Sequence, residues 1–548
     1  MEYFVFFKPG PLENKSYLVV DDYGDMRSMI KNMLIACGVK DITLAVNGAE
    51  ALACMASQRF DVVLCDYNLG SDKDGQQVLE EAKHRHLIGL GTVFLIVTAE
   101  NAREMVMGAV EYQPDSYLTK PFNKDLLNAR LEKLIVKKQD LLVIEQAIEK
   151  HEYARAIDIL DLKIAQAPPN SNELRKIKGE ICLSSGKTKQ AREVYETVLS
   201  IRDIPWACLG FCKTLFIDKK YEEAQAHLQT LIEHHPNYTE SYDWLAKTYK
   251  ALNQLNEAQT TLLTATEISP KVVLRQKMLG EIALLNDDMK VAEAAFTKAV
   301  HHGRHSVYKH PSNYSNLAKV TAITQKGEAG FKVLKNMKRE FSKDTQAHLY
   351  MATAESVIHE TMGNHEAANA SLQQAADIFG NLDHSLSSDC AIEMAKTFNT
   401  FNMTDKATEL LQKAVLNNHT DESLLDEIKL TMVCMDMQED VLGSIDTIRQ
   451  EVASLNKTGI ELARNGKLEE AVTLLKQTAE RMPANKIVNL NTALVLLMDM
   501  ERKNLSTECI DEIQIYLERV SRIDPNNQTL RKLKDRLETA ITAPKQEA

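Results

Sequence analysis

The sequence predicts two folds in tandem: an α/β domain built on a five-stranded parallel sheet, then an all-α solenoid. Three observations carry this. Short β-type apolar runs alternate with amphipathic helical stretches up to about residue 138. Strand signals stop there. Beyond that point a helical unit recurs at steps of 33 or 34 residues.

In the first region, runs at 17–20, 42–46, 62–65, 93–97 and 116–118 read as strands. The stretches near 25–36, 48–58, 75–85, 101–109 and 123–137 read as helices. Strict alternation implies a parallel sheet covered on both faces, with its ligand crevice at the carboxyl ends of the strands. Those ends are polar. The first strand runs into Asp21 and Asp22, the third ends in Asp66, the fourth in Thr98, and Lys120 follows the fifth. Three convergent carboxylates repel one another unless a cation neutralises them. Hard oxygen donors without a neighbouring His or Cys suit Mg²⁺. With its charge screened, Asp66 is placed to attack a phosphorus atom and become an aspartyl phosphate. Lys120 would pair with the phosphoryl oxygens and the Thr98 hydroxyl would bond another.

In the second region, Ala191, Ala224, Ala258 and Ala292 mark successive units, each followed four residues later by a large side chain: Tyr195, Leu228, Leu262 and Phe296. Pro236 and Pro270 close two of them. Ala156 with Leu160 marks an earlier unit, and Gly330, Ala368, Ala407 and Ala471 mark later ones. Residues 421–455 and 485–541 are helical in pattern but match poorly, as divergent or capping units would.

Composition narrows function. The chain has 548 residues, too many for a single core, with 44% hydrophobic and 26% charged residues. Lys plus Arg is 65 against 77 Asp plus Glu, a net charge of −12, which argues against nucleic acid or an anionic membrane as partner. The nine Cys show no paired spacing and read as reduced thiols; Cys65 is expected to be a core thiol, and Cys208 with Cys212 not a metal site. The longest apolar stretch, 87–99, is interrupted by Gly89, Gly91 and Thr92, and the apolar cluster at 3–7 lacks a basic flank. Neither a membrane span nor an export signal is expected, so the location is read as cytoplasmic.

The set Asp21, Asp22, Asp66, Thr98 and Lys120 resembles the receiver domain of two-component response regulators, over about residues 15–138. The resemblance implies a flavodoxin-like (βα)5 fold. It implies Asp21, Asp22 and Asp66 as Mg²⁺ ligands with the backbone carbonyl of Asn68, and Asp66 as phosphoacceptor from a histidine kinase or phosphotransfer protein. Thr98 and Tyr117 match the switch positions, and Asn68 and Glu100 the positions that tune phosphate lifetime. The Lys120–Pro121 bond is often cis in that family. One departure stands out: receivers usually place Pro four and Gly eight residues after the phosphoacceptor, whereas here Gly70 holds the first position and Gly75 comes nine after. The loop 68–74 is therefore one residue longer, which bears on the placement of the Asn68 carbonyl.

The recurring unit resembles the tetratricopeptide repeat (TPR), for roughly eight to ten copies. The resemblance implies a superhelix with a groove lined by first helices. Trp206, Lys213, Phe216, Lys247 and Lys319 fall at groove positions, a row suited to an acidic or amphipathic peptide. The expected organisation is an extension over 1–14, a receiver over 15–138, repeats over 139–541 and a tail over 542–548. The expected function is a phosphorylation-controlled interaction protein, with a face near 101–137 contacting the repeats across a stiff junction. The alternative is a constitutive TPR scaffold whose receiver only docks a partner. No enzymatic activity is expected beyond the receiver's own phosphorylation and dephosphorylation. An aspartyl phosphatase would need a second carboxylate two residues after the first, and Asn68 stands there.

Overall fold

The computed structural model describes residues 12–70, 72–99, 111–139, 141–150, 152–168, 170–325, 327–381, 387–435, 437, 439–503, 507–524 and 527–542. The apolar cluster at 3–7, Glu100 and the helix expected at 101–109 lie outside them. The chain divides into two compact units, Met1–Asn313 and Tyr314–Ala548.

In the first unit, β1 (Ser16–Val20), β2 (Asp41–Ala45), β3 (Val62–Asp66), β4 (Val93–Thr98) and β5 (Ser116–Thr119) form one sheet. Their order is β2-β1-β3-β4-β5 and every pairing is parallel. Each strand feeds its side chains to both faces at period two. Leu18, Val20, Val63, Cys65, Phe94 and Ile96 point to the face covered by α2 (Gly48–Ser57) and α3 (Gly75–His84). Tyr17, Val19, Leu64, Leu95 and Val97 point to the face covered by α1 (Gly24–Ala36) and α4 (Lys124–Gln139). Burial on both sides explains why these strands read as continuous apolar runs. The order reverses between β1 and β3, so the crevice opens above their carboxyl ends.

The repeats follow within the same unit. A short helix, Leu142–Glu149, comes first. Its Glu145 accepts a hydrogen bond from the Gly91 N–H at 2.6 Å, and a Cβ on Gly89 would collide with that carboxylate. This fixes the junction after α4 to the α3–β4 loop. Then come helix pairs: Ser171–Ser184 with Thr188–Leu199, Pro205–Ile217 with Tyr221–His234, Glu240–Ala251 with Leu255–Ile268, and Val273–Leu285 with Met289–Gly303. Every marker residue read from the sequence is the fourth residue of a second helix, and Ala156, Ala191, Ala224, Ala258 and Ala292 are all fully buried.

The turn inside each pair needs one left-handed residue. Gly186, Lys219, Asn253 and Asp287 hold it, with φ of 74°, 60°, 58° and 58°. The N–H of the residue that follows then closes on the preceding helix, as Gln254 does on Tyr249 at 2.8 Å, and so caps its last carbonyls. The second unit repeats these features. Gly330, Ala368, Ala407 and Ala471 again occupy fourth positions, and Gly363, Asn402 and Gly466 again take positive φ. The divergent stretches are helical too, as Glu422–Cys434, Glu439–Arg464, Lys486–Lys503, Thr507–Ile523 and Gln528–Thr542.

Large and small residues are complementary between helices. The Tyr195 ring lies between Gly179 and Gly210 of two first helices, where an added Cβ would sit 2.6 and 2.4 Å from it. Tyr195→Ala should therefore cost about 3–5 kcal/mol of stability in denaturant unfolding. The exposed Leu162→Ala should stay within about 0.5 kcal/mol. Equal losses would refute this account of the packing.

Candidate functional site

The crevice is built from strand ends. Asp21 follows β1 and is 1% exposed; its backbone N–H reaches Ala45 of β2, and one side-chain oxygen accepts the Tyr23 N–H at 2.8 Å. Asp22 beside it is exposed. Asp66 closes β3 and Thr98 closes β4, each 8% exposed. Lys120 follows β5, with its N–H bonded to the Thr98 carbonyl at 2.8 Å and a cis bond to Pro121.

Oxygens of Asp21, Asp22 and Asp66 all lie within 4.8 Å of one another. Lys120 Nζ bridges two of them, 2.9 Å from Asp21 and 2.9 Å from Asp66. Burial lifts the Asp66 carboxyl above the usual carboxylate range; Lys120 pulls it down, and the Asp21 and Asp22 charges push it up again. Burial disfavours the Lys120 ammonium, yet its bonds to Asp66 and Asp21 outweigh that and raise it above the ordinary lysine value. The donor set is all oxygen and mostly anionic, and it fits a small hard divalent cation.

The loop 68–74 explains how the extra residue is accommodated. Gly70 takes φ of 86°, and Gly75 donates its N–H to the Tyr67 carbonyl at 2.8 Å. A Cβ on Gly75 would lie 2.2 Å from the Asp66 carbonyl oxygen, so only glycine fits there. Asp74 and Gln77 cap α3 reciprocally. The longer loop thus still returns to the end of β3. Asn68 is exposed at its mouth, with its side-chain oxygen taken by the Gly70 N–H at 3.4 Å.

Tyr117 is half-buried on β5, and its hydroxyl has no hydrogen-bond partner; burial raises its pKa. Cys65 is fully buried, and burial holds its thiol well above the usual range.

Four of the five expected groove residues lie in the first unit. Trp206 packs edge-on to Tyr195, and Phe216 meets Trp244 at 5.4 Å. Lys213 and Lys247 lie 5.3 and 4.6 Å from the Trp244 ring centre, and Lys213 pairs with Glu240 at 2.6 Å. Lys319 lies in the second unit, paired with Glu393 at 2.5 Å. Cys208 and Cys212 share a sulfur hydrogen bond and no metal cluster includes them among the described residues.

The sheet domain also touches the repeats through residues the sequence gave no reason to single out. Lys271 reaches Tyr67, the neighbour of Asp66, with Nζ 3.4 Å from its hydroxyl. On α3, Glu80 takes the Ser306 hydroxyl and the Gln77 amide reaches the His302 carbonyl. Glu111 pairs with Arg275 at 2.8 Å. Among the described residues the contact thus includes α3, which lies outside the expected 101–137 face. Nothing in a single helix pattern marks which of its exposed polar residues face another part of the chain.

Two family models match: the response regulator receiver domain over residues 17–132 and the tetratricopeptide repeat over residues 215–282. Chemotaxis protein CheY-3 of Vibrio cholerae serotype O1 is 31% identical over 128 residues, spanning 22% of this chain and 92% of that protein. Chemotaxis protein CheY of Pseudomonas aeruginosa is 32% identical over 121 residues, spanning 21% of this chain and 93% of its own length. Among solved structures, chemotaxis response regulator CheY4 of Vibrio cholerae shares 28% identity over 22% of this chain and 98% of its own, with a TM-score of 0.21.

The bridging role of Lys120 is open to test. Lys120→Met should cost the metal-free protein on the order of 3 kcal/mol, because it leaves two buried carboxylates face to face. Mg²⁺ should stabilise that variant more than it stabilises wild type. Equal Mg²⁺ effects in denaturant unfolding would contradict the bridge.

Proposed function

The chain belongs to the response regulator receiver family and carries a TPR interaction region, and from that premise we propose that it is a phosphorylation-controlled response regulator with Asp66 as phosphoacceptor. The observation that carries this reading is the convergence of Asp21, Asp22, Asp66 and Lys120 at the carboxyl edge of the sheet.

Asp21, Asp22 and Asp66, with the Asn68 carbonyl, are the residues that would hold Mg²⁺. The ion supplies positive charge to phosphoryl oxygens. An Asp66 oxygen attacks phosphorus, the bond to the donor breaks, and the phosphoryl group passes to the carboxylate. Lys120 exchanges part of its contact with Asp66 for a phosphoryl oxygen, and the Thr98 hydroxyl donates to another. Tyr117 packs against the core but has no bond to its buried hydroxyl, so no hydrogen bond need break when it shifts with Thr98. Asn68 at the mouth and Glu100 after β4 are the positions that set how long the phosphate survives. The donor is a histidine kinase or phosphotransfer protein, and the location that fits such donors is the cytoplasm. No described helix is long and apolar enough to cross a membrane.

Residues 15–138 are the phosphoacceptor domain in this reading, and 139–541 bind a protein or peptide partner. Asp66→Ala should abolish labelling by acetyl phosphate with Mg²⁺; undiminished labelling sinks the assignment. The chain has two Trp, Trp206 and Trp244, both in the repeats. Beryllofluoride with Mg²⁺ should change their emission in wild type and leave Asp66→Ala unchanged. No change in wild type, with the site shown to be filled, favours the constitutive scaffold.

A further inference from the structure

Glu111 lies just before β5 and its side chain leaves the sheet domain for the repeats. Both carboxylate oxygens are engaged there. One takes the Arg275 guanidinium at 2.8 Å and the Thr239 hydroxyl, the other the Ser269 hydroxyl at 3.0 Å. All three partners come from a first helix or the turn that precedes one. Next to it, Gln113 accepts a hydrogen bond from Lys176 at 2.8 Å.

Arg275 does not depend on Glu111. Asp243 of the preceding first helix takes its Nε at 2.6 Å and Nη2 at 2.7 Å, a two-point contact that neutralises and orients the guanidinium. Arg275 is 2% exposed, so this pair is a fixed part of the repeats. Withdrawal of Glu111 would leave an aimed N–H donor and two hydroxyls around a space shaped for a carboxylate. The fit is therefore exchangeable. A cavity of about 360 Å³ is lined by Glu111 and Gln113 on one side and by Trp206 and Lys213 on the other, so the groove is not filled by its internal occupant. The carboxylate of Glu111 that the Arg275, Thr239 and Ser269 donors already hold shows that this end of the groove accepts an anionic group, while Lys213 further along is paired with Glu240 at 2.6 Å.

We propose that Arg275, held by Asp243, together with the Thr239 and Ser269 hydroxyls, forms a carboxylate-binding site for an acidic peptide segment of a partner protein. Glu111 of the same chain occupies this site while the sheet domain is docked. The proposal rests on the reading of the repeats as a partner-binding region and does not require Asp66 to be phosphorylated. A partner competes with Glu111, so its apparent affinity falls by the fraction of time the site stands open.

The test uses the full chain, without metal or phosphoryl donor, and a fluorescein-labelled synthetic peptide spanning residues 108–116. Anisotropy reads its binding. Glu111→Gln keeps the shape of the internal segment and removes its charge, and should tighten peptide binding by about tenfold or more. Glu111→Lys places a like charge against Arg275 and should tighten it further, provided its helical signal and unfolding midpoint match wild type. The same peptide with its glutamate replaced by glutamine should bind neither variant. Arg275→Lys on the Glu111→Gln background should lose the gain, because an ammonium cannot serve Asp243 and the ligand in the same planar way. Equal affinity of wild type and Glu111→Gln overturns the proposal, as does equal binding of the two peptides. Failure of Asp66 labelling would leave all of these arms readable.

Discussion

Three carboxylates held within 4.8 Å at the edge of a buried sheet are a standing electrostatic liability, and the first domain is organised around relieving it. Lys120 does so by lying between Asp21 and Asp66. That geometry requires β1, β3 and β5 to end level, which parallel pairing from β1 across to β5 provides. It also requires the chain after Asp66 to turn without crowding it, which the glycine at 75 allows. A cation or a phosphoryl group entering the crevice must compete with, or recruit, the same ammonium. Charge balance at one point therefore sets the positions of three strand ends and one loop.

The path from that point to the repeats is short and material. Tyr67 adjoins Asp66 and carries Lys271 over its ring, with Nζ 5.7 Å from the ring centre. Glu111 lies shortly before β5, whose next residue but one along from its end is Pro121 in the cis junction with Lys120. Lys271 and Arg275, together with Ser269, belong to one turn and helix start in the repeats. The turn therefore touches residues that adjoin β3 and β5. Its own fold is secured by the Arg275–Asp243 pair and by the Gln276 amide bonded to the Pro270 carbonyl at 2.9 Å. A rigid turn touching two parts of a domain reports their relative displacement better than a flexible one.

Legibility in the sequence followed periodicity and chemistry. The three inner strands were readable because residues such as Val62, Val63 and Leu64 are buried on both faces and leave an unbroken apolar run. The repeat markers were readable because a fully buried fourth position, as at Ala258, admits only a small side chain. Asp21, Asp66 and Lys120 were readable because parallel topology brings strand ends together, and the structure does bring them together. The left-handed turn positions were not singled out, although Gly186, Asn253 and Asp287 are residues that favour that conformation; Lys219 at the equivalent place hid the pattern. Glu111 and Arg275 were invisible for a different reason. They are 164 residues apart, and no motif or spacing in the sequence links them.

The energetics of this contact suit a switch better than a permanent lock. A charge-assisted hydrogen bond is worth about 1.5–3 kcal/mol net, and one buried carboxylate with three donors reaches the upper end of what a single side chain contributes. Burial nevertheless raises the Glu111 carboxyl above its usual range, even with Arg275 beside it, so desolvation offsets much of that gain. Coupling between two sites is typically worth about 1–3 kcal/mol. A contact much stronger would hold the groove shut whatever happened at Asp66, and a much weaker one would leave it open. Because Asp243 keeps Arg275 neutralised in either state, undocking exposes no orphaned buried charge. Opening costs the bonds of Glu111 together with those that Glu80 and Gln77 of α3 make to Ser306 and His302, and each of these groups can turn to water once released.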